Sequence, residues 1–121
     1  MARILIVDDS PTETHILKTM LEKSGYQTVG ATTAEEGIAK SKSEKPDLIL
    51  MDVVMPGTNG FQATREITKD PATAHIPVIL ATTKNQETDK VWGMRQGAKD
   101  YLTKPVDEAE LLAKVKAALG K

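Results

Sequence analysis

The feature that most restricts the fold of this chain is a series of short apolar segments, separated by stretches of helical character. The segments cover residues 3–7, 26–30, 47–52, 76–81 and 99–103. Those at 3–7, 47–52 and 76–81 lack polar alternation, which is typical of strands buried on both faces. Strands that alternate with helices favour βαβ units, in which a parallel sheet carries helices on both faces. The sequence therefore predicts an α/β fold, a doubly wound five-stranded parallel sheet of (βα)5 form.

The stretches between the apolar segments carry the signals of helix N-termini and of helix faces. The spacing of a capping box occurs at Ser10 and Glu13, at Thr33 and Glu36, and at Asp107 and Glu110. The predicted inward residues are Ile16, Leu17, Met20 and Leu21, then Ala34, Ile38 and Ser41, then Phe61, Thr64 and Ile67, and finally Leu111, Leu112, Val115, Ala118 and Leu119.

The fourth helix has few apolar residues that could face inward. It is expected to begin near Asn85 or Gln86, with Val91 and Met94 as its inward residues. Trp92 is out of phase with them, so it is either an interface anchor or a partly covered surface aromatic.

Composition narrows the class of protein. With 121 residues the chain has the size of one domain, so we expect a single domain over residues 1–121 with no output domain. Its hydrophobic content of 40% and charged content of 27% fit neither a disordered nor a membrane protein. A net charge of −1 disfavours nucleic-acid binding. The absence of cysteine excludes disulfides and thiolate metal sites, and the N-terminus is no signal peptide, so we expect a cytoplasmic protein.

Acidic residues end two of the predicted strands. Asp8 and Asp9 follow the first strand, and Asp52 ends the third, directly before a turn rich in proline and glycine. Ligand sites in such sheets lie beyond the carboxyl ends of the strands, so the three carboxylates should lie together. Their mutual repulsion requires a cation or a raised pKa, and hard oxygen ligands favour Mg²⁺.

A hydroxyl and an ammonium complete the candidate site. Thr82, with Thr83 as a competitor, ends the fourth strand, and Lys104 follows the fifth. An aspartate can attack phosphorus to form an acyl phosphate, while these two groups hold the phosphoryl oxygens. The residues therefore predict capture of a phosphoryl group on Asp52.

The ordered set of these residues resembles the receiver domain of two-component response regulators, the CheY-like family. The matching pieces are Asp8-Asp9, Asp52 with Met55-Pro56 and Gly60, Thr82, and Lys104-Pro105. Each piece is weak by itself, whereas the set in this order is specific and spans the whole chain. The resemblance implies a flavodoxin-like sheet with the strand order 2-1-3-4-5.

The resemblance also implies roles for individual residues. Asp52 would accept a phosphoryl group from a histidine kinase, and Asp9, Asp52 and the backbone carbonyl of Val54 would bind Mg²⁺, with Asp8 acting mainly through water. Lys104 would pair with the phosphoryl group or, before phosphorylation, with Asp52.

Further roles concern the transmission of the signal. Thr82 would move toward the phosphate together with Tyr101, and the Lys104–Pro105 bond would be cis. Val54 and Lys84 would tune hydrolysis, because neither an apolar group nor a flexible cation orients the attacking water well.

Within the family the chain is similar to stand-alone regulators of bacterial twitching motility and type IV pili. That similarity implies a chemosensory, CheA-like histidine kinase as the phosphodonor. It also implies a monomer that binds a downstream protein through the surface of helix 4, strand 5 and helix 5. Neither a nucleic acid nor a membrane is an expected partner.

Two alternatives remain at this stage. The regulator could drain phosphate from a shared kinase. In a different class, Asp52 could be the nucleophile of a Mg²⁺-dependent phosphatase, although Val54 stands where an acid or base would be needed. His15 and His75 have no matching ligand pair and are interpreted as surface or helix-packing residues.

Overall fold

The computed structural model describes residues 2–120 and contains one five-stranded parallel sheet with five helices. The strands are β1 Arg3–Val7, β2 Gln27–Ala31, β3 Leu48–Met51, β4 Val78–Thr82 and β5 Asp100–Thr103. The helices are α1 Pro11–Lys23, α2 Ala34–Ser43, α3 Gly60–Lys69, α4 Glu87–Arg95 and α5 Glu108–Ala118. The strand order is β2-β1-β3-β4-β5, which confirms the predicted doubly wound sheet.

The sheet separates two apolar layers because successive residues of a strand point to opposite faces. In β1, Leu5 packs under α2 and α3, while Ile4 and Ile6 pack on the side of α1 and α5. All four residues of β3 are at most 1% exposed, which confirms the predicted burial on both faces. Within residues 2–120, no helix combines the length and apolarity that crossing a bilayer requires.

The predicted N-caps are present, but the reciprocal bond that completes a capping box is found at none of these three helices. The side chains of Ser10, Thr33 and Asp107 each accept a hydrogen bond from the backbone N–H three residues later. Glu36 does not complete the capping box, because its carboxylate accepts from the N–H of Thr32 at 2.7 Å. The reciprocal box occurs at α3, between Asn59 and Gln62.

The predicted inward face of α4 is wrong. Val91 is 48% exposed and Met94 is 47% exposed, and the only buried residue of α4 is Gly93. A Cβ atom on Gly93 would lie 2.5 Å from Cδ1 of Leu80. The helix backbone therefore packs directly on β4, and this close approach turns both larger side chains outward.

Gly60 at the start of α3 lies against the backbone of the loop that follows β3. A Cβ atom there would overlap the carbonyl oxygen of Asp52 and lie 2.8 Å from Cα of Val53. Since both neighbours are backbone atoms, no side-chain rotation can relieve the clash. The glycine therefore fixes the position of Asp52 relative to α3.

We expect Gly60→Ala to lower the free energy of unfolding by about 3 kcal/mol, at the upper end for overpacking, as measured by urea denaturation. Gly30→Ala is the control, because its Cβ would have no atom within 4 Å. The control should change stability by no more than about 0.5 kcal/mol. Equal denaturation midpoints for the two variants would contradict the close approach at Gly60.

Candidate functional site

The parallel register brings the predicted acids to one edge of the sheet. β1 and β3 are paired up to Val7 and Met51, so the next residues, Asp8 and Asp52, leave neighbouring strands side by side. The ladder continues one step further, since the N–H of Asp52 donates to the carbonyl of Val7 at 2.9 Å. One carboxylate oxygen from each of Asp8, Asp9 and Asp52 lies within 4.8 Å of the others.

The three acids differ in their exposure to solvent. Asp8 is 2% exposed and Asp52 is 7% exposed, whereas Asp9 lies at the open surface. Two acids are therefore held in a region of low dielectric, where an uncompensated charge is costly. The open side next to Asp9 leaves access for an ion or a phosphodonor.

Lys104 supplies the compensating charge, and its closer partner differs from the one predicted. Its Nζ lies 2.5 Å from Oδ2 of Asp8 and 3.6 Å from Oδ2 of Asp52, so the cation is shared between both acids. Its side chain is only 6% exposed. Both carboxylates are largely buried, where the attraction of a shared ammonium is stronger than in water.

The segment after β5 positions this lysine. The N–H of Lys104 donates to the carbonyl of Thr82 at 2.8 Å, which extends the β4–β5 ladder beyond the strand end. The Lys104–Pro105 peptide bond is cis, as the family resemblance implied.

Burial raises the pKa of Asp52, and the neighbouring carboxylate of Asp8 adds to the increase. Three groups oppose the shift: the ammonium of Lys104, the N–H of Val54 and the hydroxyl of Thr82. The N–H of Val54 lies 3.2 Å from Oδ1 of Asp52. Because the net shift of the pKa is upward, any additional cation at this edge would stabilise the charged form of Asp52.

Thr82 and Tyr101 connect the acid cluster to α4. Thr82 is fully buried at the end of β4, whereas its competitor Thr83 is exposed. The ring of Tyr101 is buried, and its hydroxyl donates to the carbonyl of Lys84 at 2.8 Å. Burial, with the charges of Asp89 and Asp52, raises the pKa of Tyr101 to about 12, so the phenol keeps its proton at neutral pH.

The two predicted tuning residues, Val54 and Lys84, flank the site. Val54 is 51% exposed at the mouth of the acid cluster. Nζ of Lys84 lies 4.0 Å from Oδ1 of Asp89, on α4. Sequence reasoning missed this pairing and the Asp8–Lys104 contact, because both depend on how separate elements pack.

The exposed His15 and His75 belong to other parts of the surface.

The donor set fits Mg²⁺. Carboxylate oxygens are the ligands that this ion prefers, and the partial exposure of the cluster leaves room for the waters it retains. Burial, and to a smaller extent the charge of Asp8, raises the pKa of Asp52 in spite of Lys104, so an added cation would favour its charged form. Asp8, Asp9 and Asp52 are therefore the residues that would hold the ion.

This sheet with acids, a hydroxyl and a lysine at the carboxyl ends of its strands defines the receiver class of signalling domain. The chain belongs to the response regulator receiver domain family, whose model matches residues 4–116. Among its relatives is Protein PilH of Pseudomonas aeruginosa, which is 65% identical over 99% of both chains. The response regulator PleD of Caulobacter vibrioides is 40% identical over 96% of this chain, which spans 26% of PleD.

Solved structures agree with this assignment. A CheY-like receiver domain protein from Methanospirillum hungatei superposes with a TM-score of 0.91 at 33% identity, over 99% of this chain and 94% of that one. The chemotaxis protein CheY4 of Vibrio cholerae gives 0.91 at 29% identity, over 98% of both chains. The predicted membership of the CheY-like family is thus confirmed.

The raised pKa of Asp52 predicts a pH-dependent stability. The folded protein binds this proton more tightly than the unfolded chain, so the group stabilises the fold at low pH and this contribution is lost as the pH rises through the raised pKa. In EDTA, we therefore expect Asp52→Asn to be more stable than the wild type at pH 7, with the difference shrinking toward about pH 4. Thermal unfolding across this range measures it.

The matched control is Asp70→Asn. Hydrogen bonds from the N–H of Ala72 and from Lys42 lower the pKa of Asp70, so its charged form is the favoured one. This variant should gain no stability at pH 7. A wild type that equals or exceeds Asp52→Asn in stability at pH 7 without metal would contradict the electrostatic argument.

Proposed function

We propose that this receiver accepts a phosphoryl group on Asp52 from a histidine kinase and signals by binding another protein. The observation that carries the proposal is the clustering of Asp8, Asp9 and Asp52 around one edge, with Lys104 shared between two of them. Phosphoryl capture requires a nucleophilic carboxylate and positive charge beside it, and both are present.

The transfer is a displacement at phosphorus. An oxygen of Asp52 forms the new bond to phosphorus while the phosphorus–nitrogen bond of the donor's phosphohistidine breaks, and the nitrogen keeps the electron pair. The ammonium of Lys104, already 3.6 Å from Oδ2 of Asp52, is close enough to pair with a phosphoryl oxygen. A Mg²⁺ ion held by Asp8, Asp9, Asp52 and the carbonyl of Val54 would neutralise the charge of the transferring group.

Transmission to the surface runs through Thr82 and Tyr101. A phosphoryl group on Asp52 adds oxygens that can accept a hydrogen bond from the hydroxyl of Thr82, whose oxygen accepts from the N–H of Lys84 at 3.4 Å. A movement of Thr82 toward the phosphoryl group would therefore pull on residue 84. Tyr101 holds the carbonyl of the same lysine, so a shift at residue 84 reaches the ring. Phosphorylation would then bias an existing equilibrium between two arrangements of α4, β5 and α5, the surface we propose for the downstream partner.

We further propose a role in the chemosensory control of type IV pili and twitching motility. The support is the 65% identity with Protein PilH, which extends over 99% of both chains. The kinase would then be of the chemosensory, CheA-like type. Such a role makes the protein a switch whose output is an interaction and not a released product.

Intact-mass spectrometry after incubation with acetyl phosphate tests the acceptor. We expect one phosphoryl adduct on the wild type that requires Mg²⁺ and is absent from Asp52→Asn, because we propose Asp52 as the acceptor and it lies beside both Lys104 and the other two acids. Glu87→Gln, an exposed acid on α4, is the control and should label like the wild type. An unlabelled wild type, under conditions that label another receiver, would end the proposal.

The same reaction separates the switch from a phosphatase. Stoichiometric labelling without continued release of inorganic phosphate from p-nitrophenyl phosphate fits a receiver that modifies itself. Repeated turnover of that ester would instead favour the enzyme, and the proposed switch would be wrong.

Self-dephosphorylation should be slow to moderate, since no acid or amide at position 54 or 84 orients a hydrolytic water. Nζ of Lys84 is also drawn toward Asp89. We expect Val54→Asn to shorten the lifetime about tenfold or more, because its amide can orient water, whereas Val54→Ile should not. Decay of ³²P-labelled protein measures this. Loss of label from the wild type within seconds, without a phosphatase, would overturn the expectation.

A further inference from the structure

The outer strand β2 has backbone groups that point away from the sheet, and a lysine covers one of them. The N–H of Gln27 donates to the carbonyl of Ala2 at 3.0 Å. Because alternate residues of a parallel strand bond to the same neighbour, Gly30 faces outward. Nζ of Lys40 donates to the carbonyl of Gly30 at 2.6 Å, and Glu36 lies 3.3 Å from the same ammonium.

The opposite outer strand, β5, has the same arrangement. The N–H of Lys104 bonds the carbonyl of Thr82, so even-numbered residues face β4 and Tyr101 presents its backbone outward. Nζ of Lys114 donates to the carbonyl of Tyr101 at 2.7 Å. Glu110, one turn earlier on α5, lies 3.5 Å from that ammonium.

On β5 the outward N–H of Tyr101 is also hydrogen-bonded. The N–H of Tyr101 donates to Oδ1 of Asp100 at 2.8 Å, and the same oxygen lies 3.2 Å from Nζ of Lys114. Asp100 and Lys114 thus form a clamp over both free backbone groups of Tyr101. Since β5 has only four residues, this leaves Thr103 as its remaining outward-facing residue.

We propose that Lys40 and Lys114 are edge-blocking residues, which close both outer strands of the sheet against the addition of another β-strand. An unpaired strand edge is a template for pairing with a second chain, and charged side chains over the edge, lysine above all, prevent it. An incoming strand would have to displace each lysine from a carbonyl and from a glutamate. The inference is independent of phosphorylation at Asp52.

The blocking has a consequence for partners. A protein that binds near β5 cannot do so by strand addition, so it must dock through the side chains of α4 and α5. A second copy of this chain is likewise kept from pairing edge to edge, which favours the monomer.

The test is the variant Lys40→Met with Lys114→Met, which keeps the length of both side chains and removes the donors. Sedimentation velocity over a range of concentrations should show self-association at least about tenfold stronger than in the wild type. Hydrogen exchange should show slower exchange of the outward amides of Gly30 and Thr103 in the associated form. Replacement of both lysines by arginine, which retains a donor, should restore the monomer.

The matched control is Lys18→Met with Lys116→Met, which removes the same charge and adds the same apolar surface at two exposed positions. The proposal is overturned if the edge variant stays as monomeric as this control. It is also overturned if association leaves the exchange of the outward amides unchanged, since another surface is then responsible. Should the double variant fail to fold, Lys40→Met and Lys114→Met are examined separately by the same measurements.

Discussion

The rest of the site depends on one electrostatic constraint, the crowding of carboxylates at the carboxyl edge of the sheet. Asp8 and Asp52 are both largely buried, and a single ammonium, that of Lys104, is shared between them. Burial, with the charge of Asp8 in addition, raises the pKa of Asp52 in spite of this ammonium. The site is thus prepared for additional positive charge, and the same imbalance that disfavours the charged Asp52 favours a metal ion.

The fold meets this constraint by joining distant parts of the chain. Asp8 and Lys104 are 96 residues apart, yet they are in contact because β1 and β5 both end at the same edge of a parallel sheet. Gly60 locks the loop beneath Asp52, so the acceptor lies in a backbone that cannot easily relax. Rigid support of this kind is what a site that must position reacting groups requires.

The helices beside β5 are held in different ways. The buried side chains of α5 are Leu111 and Val115, whereas α4 buries only Gly93 and leaves Val91, Trp92 and Met94 about half exposed. Few buried apolar contacts are typical of elements that open or shift at low cost in free energy. α4 is held through its backbone at Gly93 and through the hydrogen bond from Tyr101 to the preceding loop. It is therefore well suited to shift when the site is phosphorylated.

The sequence by itself determined the architecture and the members of the site. Apolar runs without alternation define strands buried on both faces, and the acids, threonine and lysine directly follow or end those strands, so their convergence follows from parallel pairing. Most helix starts and inward residues were also predictable, because caps and periodicity are local signals. The tertiary structure alone decided that Lys104 lies closer to Asp8 than to Asp52. It also decided that α4 packs on β4 through Gly93, with its larger apolar side chains outward, and that Lys40 and Lys114 cover the sheet edges. These outcomes depend on distances between elements, and local patterns of residues carry no information about them.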